Sequence, residues 1–217
     1  MTLGLRPERA LLNDVNPHLI NFYCWLRHGF AIDIPMQNDA HEFYRRRDRF
    51  NTLIAIGQAD GQEAAALFYY LNRTGYNGLC RFNQSGGFNV PFGRYASIGY
   101  VRDFSEYQPT FSDWQFSQSD FEDLKLEARD FIYADPPYDV EFTSYSKDGF
   151  SWEDQERTAR WLAKHKGPVI LSNQATPQIV SLYKKLGFSL RFLAAPRMIS
   201  CTGDRTPAKE VLALKNF

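Results

Sequence analysis

Apolar residues recur along the chain with two periods and divide it into short elements. Arg9 to Asn16 is a brief apolar run that closes in polar residues, read as a strand and a loop, with a helix starting near Pro17. Leu19, Ile20, Tyr23 and Leu26 continue at helical spacing, so that helix buries one face. Ala40 to Gly57 predicts a second helix with Phe43, Phe50, Leu53 and Ile54 on one side, and Glu63 to Leu71 a third, buried one. Phe131 to Ala134 reads as a buried strand. Trp152 to His165 reads as a helix capped at or beside Ser151, with Glu153 and Asp154 in its first turn. Pro168 to Asn173 predicts another strand, Thr176 to Leu186 a helix stopped at Gly187, and Phe188 to Ala194 and Glu210 to Leu214 two closing strands. Strands alternating with helices predict an α/β sheet with crossovers, whose ligands sit beyond the carboxyl ends of the strands. Asp14 and Asp135 both fall at such ends.

Asn72 to Arg102 breaks this pattern. It is rich in glycine, holds Arg73, Arg81, Arg94 and Arg102 without any acidic residue, and interleaves Tyr76, Phe82, Phe88, Phe92, Tyr95 and Tyr100. That composition predicts a loop-rich hairpin lobe with a local positive potential. The patch matters because the 217 residues carry 25 basic and 25 acidic side chains, so nucleic-acid binding cannot come from the average charge. The Arg45–Arg49 run reads first as a solvated helix face and second as a phosphate contact. A 44% hydrophobic and 23% charged composition excludes disorder, and no apolar run approaches the roughly 18 residues of a membrane span. The N-terminus lacks the apolar region of a signal peptide. Cys24, Cys80 and Cys201 are too scattered for a disulfide framework or a paired zinc site, which points to a reduced, cytoplasmic location. His18, His28, His41 and His165 lack metal-ligand spacing and read as surface or packing residues, so no metal is expected. Cys80 reads as a small buried filler, Cys201 has no partner for nucleophilic catalysis, and Gly86-Gly87 reads as a hairpin turn.

Asp135-Pro136-Pro137-Tyr138, directly after the Phe131–Ala134 strand, is the sharpest chemical feature. It can be a proline-stiffened strand exit. It can also serve amine chemistry on a nucleobase. An exocyclic amine is a poor nucleophile because its lone pair is delocalised into the ring. A fixed carboxylate and an adjacent backbone carbonyl can each accept one N–H, which draws the nitrogen toward tetrahedral geometry and frees the lone pair. Prolines have no N–H and hold the carbonyl rigidly, and the aromatic can stack on a flipped-out base.

Taken in order, the segments resemble the Dam-like family of DNA adenine-N6 methyltransferases, the D12 class of α-type amino-methyltransferases, over nearly the whole chain. The resemblance rests on Leu12-Asn-Asp14-Val-Asn16, on Asn72 to Arg81, on Phe88 to Tyr95, on the Asp135–Tyr138 motif, and on Phe142-Thr-Ser-Tyr145, Leu171-Ser-Asn173 and Arg197 to Leu214. It implies a Rossmann-like, S-adenosylmethionine-dependent methyltransferase sheet from 1–30 and 104–217, with a helical and β-hairpin DNA-recognition lobe inserted at 31–103. It implies that Asp135, Pro136 and Tyr138 hold the target adenine and that Asp14 binds the adenosine part of S-adenosylmethionine, with Asp135 also near the donor. In the lobe, Tyr76 and Asn77 would fill the gap left by the flipped base, Leu79 would touch a thymine methyl, and Arg81 would fork onto a guanine edge. Pro91 and Arg94 would complete the base and phosphate contacts. The implied substrate is duplex DNA, with GATC or a close relative as the target, and transfer is direct, without a metal or covalent enzyme intermediate. Ordinary hairpin packing is the alternative reading of Tyr76 and Leu79.

The chain departs from the family at its start. The family's KW-x-GGK-type segment and Phe-x-Gly-x-Gly loop are not found, so the first strand of the sheet and its glycine loop are expected to be missing. Interior strand edges would then lack partners, at ~1–3 kcal/mol per orphaned group. A miscalled start, a second polypeptide that supplies the segment, or decay to a catalytically inactive DNA-binding remnant would each account for this.

Overall fold

The computed structural model describes residues 2–139, 150–195 and 208–217. Two compact units divide the chain, Met1–Phe121 and Glu122–Phe217. The Phe142–Tyr145 segment, Cys201 and the stretch from Arg197 to Pro207 lie outside the described residues.

The first unit begins with a short helix α1 (Thr2–Leu5) and strand β1 (Leu11–Asn13). Helix α2 (Pro17–Arg27) follows, because Asn16 caps it: its side chain accepts from the amides of His18 and Leu19, and Pro17 fills the first turn, where no donor is needed. Helix α3 (Ala40–Ala55) is capped in the same way by Asp39, and α4 (Gln62–Thr74) buries Ala64 through Phe68 as the apolar run predicts. A further short helix, α5 (Gln108–Phe111), and strand β2 (Gln115–Ser117) are not evident in the sequence pattern. β2 is a strand because it pairs in parallel with β1, Leu12 facing Phe116. Asn13 reinforces that pairing, its Nδ2 donating to the Ser119 carbonyl at 3.0 Å.

Two apolar clusters hold this unit. Phe43, Phe50, Phe68, Leu71, Phe88 and Val90 form one, with Leu19, Phe22 and Leu79 packed against it. Leu26, Phe30, Ile32, Phe104, Phe111 and Trp114 form the other. His18 belongs to the first, stacked on Phe82 at 5.0–5.1 Å ring distances that also reach Phe50. Burial lowers its pKa, opposed by a hydrogen bond with the Ala59 backbone, which agrees with a packing role.

The Arg45–Arg49 run departs from expectation at Arg47, which is half-buried and donates to the Val90 carbonyl, and most at Arg46. Arg46 is only 4% exposed, not solvated. Its Nε bonds Glu42 at 2.5 Å, Nη1 donates to the Pro35 carbonyl, and the guanidinium lies 4.3 Å from the Tyr70 ring centre. Helical periodicity explains it: Arg46 lies between Phe43 and Phe50 on the buried side.

In the second unit, β3 (Ile132–Ala134), α6 (Trp152–Lys164) and β4 (Val169–Gln174) make a parallel crossover unit. Ser151 and Asp154 form a reciprocal capping box at the start of α6. Thr176 caps α7 (Pro177–Lys185), which ends at Gly187 in a left-handed conformation. β5 (Ser189–Ala195) and β6 (Ala208–Lys215) add antiparallel, in the order β3-β4-β6-β5. Leu162, Val169, Leu171, Ile179 and Val211 form its core. Among the described residues no helix is long and apolar enough to cross a membrane.

Candidate active site and nucleic-acid interface

Asp135 follows β3 directly and Asp14 follows β1 directly, so each stands at the carboxyl end of a parallel strand. β4 supplies the neighbours of Asp135. Its first residues are apolar and buried, yet Ser172 and Asn173 are buried as well, and buried polar groups must find partners. Ser172 Oγ lies 2.6 Å from Asp135 Oδ1 and 3.2 Å from the Ala134 carbonyl. A hydroxyl donates one proton, and the shorter contact to a carboxylate takes it. Asp135 Oδ1 is therefore occupied, and no donor among the described residues takes Oδ2. No donor among the described residues reaches the Pro136 carbonyl, whereas the Pro137 carbonyl accepts from Gln155 Nε2 at 2.7 Å.

Asn173 extends this framework. Its Oδ1 accepts from the Asp139 amide at 2.9 Å, and its Nδ2 donates to Gln155 Oε1 at 2.9 Å and to the Tyr183 hydroxyl at 3.1 Å. Asp139 Oδ2 accepts from Thr176 Oγ1 and Gln178 Nε2, both at 2.7 Å. Burial pushes the Tyr138 phenol up to about 12, with the Asp135 charge adding to the shift and a hydrogen bond with Ser172 opposing it. The ring is neutral at any physiological pH.

In the first unit, Asp14 Oδ1 accepts from the Asn16 amide at 2.7 Å, a turn that leads into α2. Its charge raises the pKa of Tyr23, after burial, which is the larger cause. Asn16 Nδ2 donates to Cys80 Sγ at 3.4 Å. Cys80 is exposed and not the buried filler expected, because this polar contact, rather than the aromatic core, receives its sulfur.

The lobe residues share one clamp. Gly75 follows α4, Tyr76–Gly78 form a tight turn, and the Tyr76 amide donates to the Pro91 carbonyl at 2.8 Å. Tyr95 closes the clamp: its hydroxyl donates to the Gly75 carbonyl at 2.9 Å and accepts from the Gly78 amide at 3.1 Å. A Cβ on Gly75 would come 2.6 Å from the Leu71 carbonyl oxygen, so only glycine fits there. Asn77 and Arg94 both adopt left-handed backbone, with φ of 52° and 50°. Such residues are strained, and strain of this kind concentrates at functional positions. Tyr76, Pro91 and Arg94 are exposed, whereas Leu79 is half-buried against the Phe43–Val90 cluster. Arg81 is exposed but held: its Nε lies 2.8 Å from Asn89 Oδ1 and its Nη2 3.2 Å from the Asn89 carbonyl. Gly86 and Gly87 stand in the turn between Phe82 and Phe88, as expected, with Asn83 accepting from the Gly87 amide.

Asn89, Gln155, Ser172 and Asn173 are positions that the sequence reading gave no role. Gln155 carried a signal, a polar residue on the apolar stripe that continues at Ala159 and Leu162. Among the described residues no group of three His, Cys, Asp or Glu side chains is placed to hold a metal ion.

The family model for D12 class N6 adenine-specific DNA methyltransferases matches residues 1–197, and the chain belongs to that family. It is 35% identical to the retron Ec67 DNA adenine methylase of Escherichia coli, over 94% of this chain and 75% of that protein. It is 33% identical to a DNA adenine methylase of Vibrio cholerae, over 95% of this chain and 80% of that protein. The DNA N-6-adenine-methyltransferase of Escherichia phage P1 is also 35% identical over 95% of this chain, which spans only 29% of the phage protein. The chain is thus a DNA adenine methyltransferase by family.

Proposed function

We propose that this protein transfers a methyl group from S-adenosylmethionine to N6 of a flipped-out adenine in duplex DNA, within GATC. The observation that carries the reading is the pair of acceptors at the end of β3: Asp135 Oδ2 and the Pro136 carbonyl, left for a substrate while Ser172 holds Oδ1. Together they can accept both N–H groups of an exocyclic amine, which localises the nitrogen lone pair. S-adenosylmethionine, when bound, would supply an electrophilic sulfonium methyl, with its sulfur leaving as the neutral thioether. Asp135 Oδ2 then holds the amine proton that is released as the new C–N bond forms. Tyr138, neutral and flanked by this loop, stacks on the adenine ring and keeps it from returning to the duplex.

Asp14 fits the adenosine half of the donor. One of its oxygens is engaged by the Asn16 amide, and the other is available to a ribose hydroxyl. For the DNA, Tyr76 and Asn77 fill the space vacated by the adenine, Leu79 contacts a thymine methyl, and Arg81 reads guanine. Pro91 and Arg94 complete the contacts, within an inserted lobe at 31–103 of a Rossmann-like catalytic domain. Arg81 supports this reading through its geometry: Asn89 takes its Nε side, which leaves the Nη1/Nη2 edge for a bidentate contact with guanine O6 and N7.

The test is methyl transfer from labelled S-adenosylmethionine to duplexes with and without GATC. The reading expects transfer to the GATC duplex, and its loss in Asp135→Ala with DNA binding retained. Transfer that survives Asp135→Ala would remove the assignment. DNA binding without transfer by the unsubstituted chain would favour a DNA-binding remnant.

A further inference from the structure

The segment after β3 contains two prolines, so Pro136 and Pro137 offer the backbone carbonyls but no amides as anchors. Gln155 and Asn173 use those groups on either side of Tyr138. The Pro137 carbonyl shares a rigid peptide plane with the Tyr138 amide, and it receives Gln155 Nε2 at 2.7 Å. The Tyr138 carbonyl shares the next plane with the Asp139 amide, which donates to Asn173 Oδ1 at 2.9 Å. The two amide side chains are joined to each other at 2.9 Å, and Tyr183 adds a third contact at 3.1 Å. Both are almost wholly buried, Gln155 at 3% exposed and Asn173 at 0%. Aliphatic side chains would fill such positions without the cost of desolvating four polar atoms. A polar pair there specifies geometry.

We infer that Gln155 and Asn173 are positioning residues for methyl transfer, which fix both peptide planes flanking Tyr138 and so aim its ring and the neighbouring Pro136 carbonyl at the target base. The inference rests on the proposed reading of Asp135 to Tyr138. Neither side chain touches substrate in this account. They act by keeping the loop in one arrangement before adenine arrives, which spares the reorganisation that a free loop would need.

Two variants of Gln155 test it, because they separate hydrogen bonding from packing. Gln155→Met keeps the volume and removes the donor to Pro137. Gln155→Glu keeps the shape, and its carboxyl can donate to the Pro137 carbonyl only when protonated. Burial raises the pKa of such a group toward the assay range. Steady-state kinetics on the full chain with GATC duplex should give a kcat about tenfold or more below wild type for Gln155→Met, with both KM values within about twofold. Gln155→Glu should recover kcat relative to wild type as the pH falls and lose it as the pH rises, a titration that Gln155→Met lacks. Thermal unfolding checks that each variant is folded. If Gln155→Met does not fold, the pH profile of Gln155→Glu decides alone.

Wild-type kcat in Gln155→Met, or a pH profile of Gln155→Glu parallel to wild type, would overturn the inference. No transfer by the unsubstituted chain would remove the underlying reading and this inference with it. Transfer by the unsubstituted chain with unimpaired variants would remove the inference alone.

Discussion

Arg81 is held side-on by Asn89, its Nε 2.8 Å from the amide oxygen and its Nη2 3.2 Å from the backbone carbonyl. A guanidinium has five N–H groups, and this contact uses the edge that a guanine does not need. Arg81→Ala should therefore lose about 1–3 kcal/mol of preference at a single G·C pair of the target. Asn89→Ala should move in the same direction by less, because the arginine survives but rotates freely. Competition binding with duplexes substituted one pair at a time measures both. An equal loss of affinity for every duplex would make Arg81 a phosphate contact.

Most elements were legible because their ends are chemically marked. Asn16, Asp39, Ser151 and Thr176 each cap a helix whose apolar stripe begins within a turn, and those signals are local. β2 was not legible, since the polar–apolar–polar Gln115-Phe116-Ser117 is too short to mark a strand by alternation and is one through its pairing with Leu11–Asn13. Arg46 was misplaced for a related reason: a charged run suggests solvent, and only its register between Phe43 and Phe50 reveals the buried side. At the candidate site, Asp135 and Arg81 stand out as residue types in a motif. Gln155 lies in no motif, and Ser172, Asn173 and Asn89, though inside segments that carry the resemblance, show no role there, because their contacts are with side chains and carbonyls 8 to 38 positions away.

Ser172 orients the carboxylate of Asp135 through a 2.6 Å hydrogen bond. Ser172→Ala removes it and lets the carboxylate turn, so that Oδ2 no longer faces one direction. A hydrogen bond to a charged group contributes about 1.5–3 kcal/mol, and a loss felt in the transition state lowers kcat by about 10- to 100-fold. Single-turnover methyl transfer measures the effect, with DNA affinity expected to stay near wild type. Unchanged turnover would show that Asp135 is oriented without Ser172.

The Tyr138 hydroxyl is not required to ionise. Its pKa is pushed up to about 12, chiefly by burial, so the phenol stays neutral at any physiological pH. Tyr138→Phe should accordingly keep the stacking face and most of the transfer rate, within about fivefold, while Tyr138→Ala should lose far more, since stacking contributes about 1–3 kcal/mol per base. Single-turnover transfer by the two variants, with DNA affinity measured alongside, separates the ring from the hydroxyl. Equal loss in both would assign the hydroxyl, not the ring, the essential part.

Glu42 ties the Arg46 guanidinium into the first unit, and its hydrogen bonds with Arg45 and Arg46 hold its carboxyl down to about 2 from an ordinary value of 4.5. The native state therefore binds its proton less readily than the unfolded chain. Stability from this group is complete above pH 4.5 and is lost as the pH falls toward 2. Glu42→Gln removes that part of the acid dependence and leaves Arg46, which is only 4% exposed, without its countercharge. Loss of one partner of a buried pair costs about 3–5 kcal/mol; with Glu42 still 15% exposed at its side chain, about 2–3 kcal/mol is expected. Urea unfolding of wild type and Glu42→Gln at pH 7 and at pH 3 resolves the two contributions. The difference between them should be large at pH 7 and shrink at pH 3. A difference that stays constant with pH would mean that Glu42 acts by packing and not by its charge.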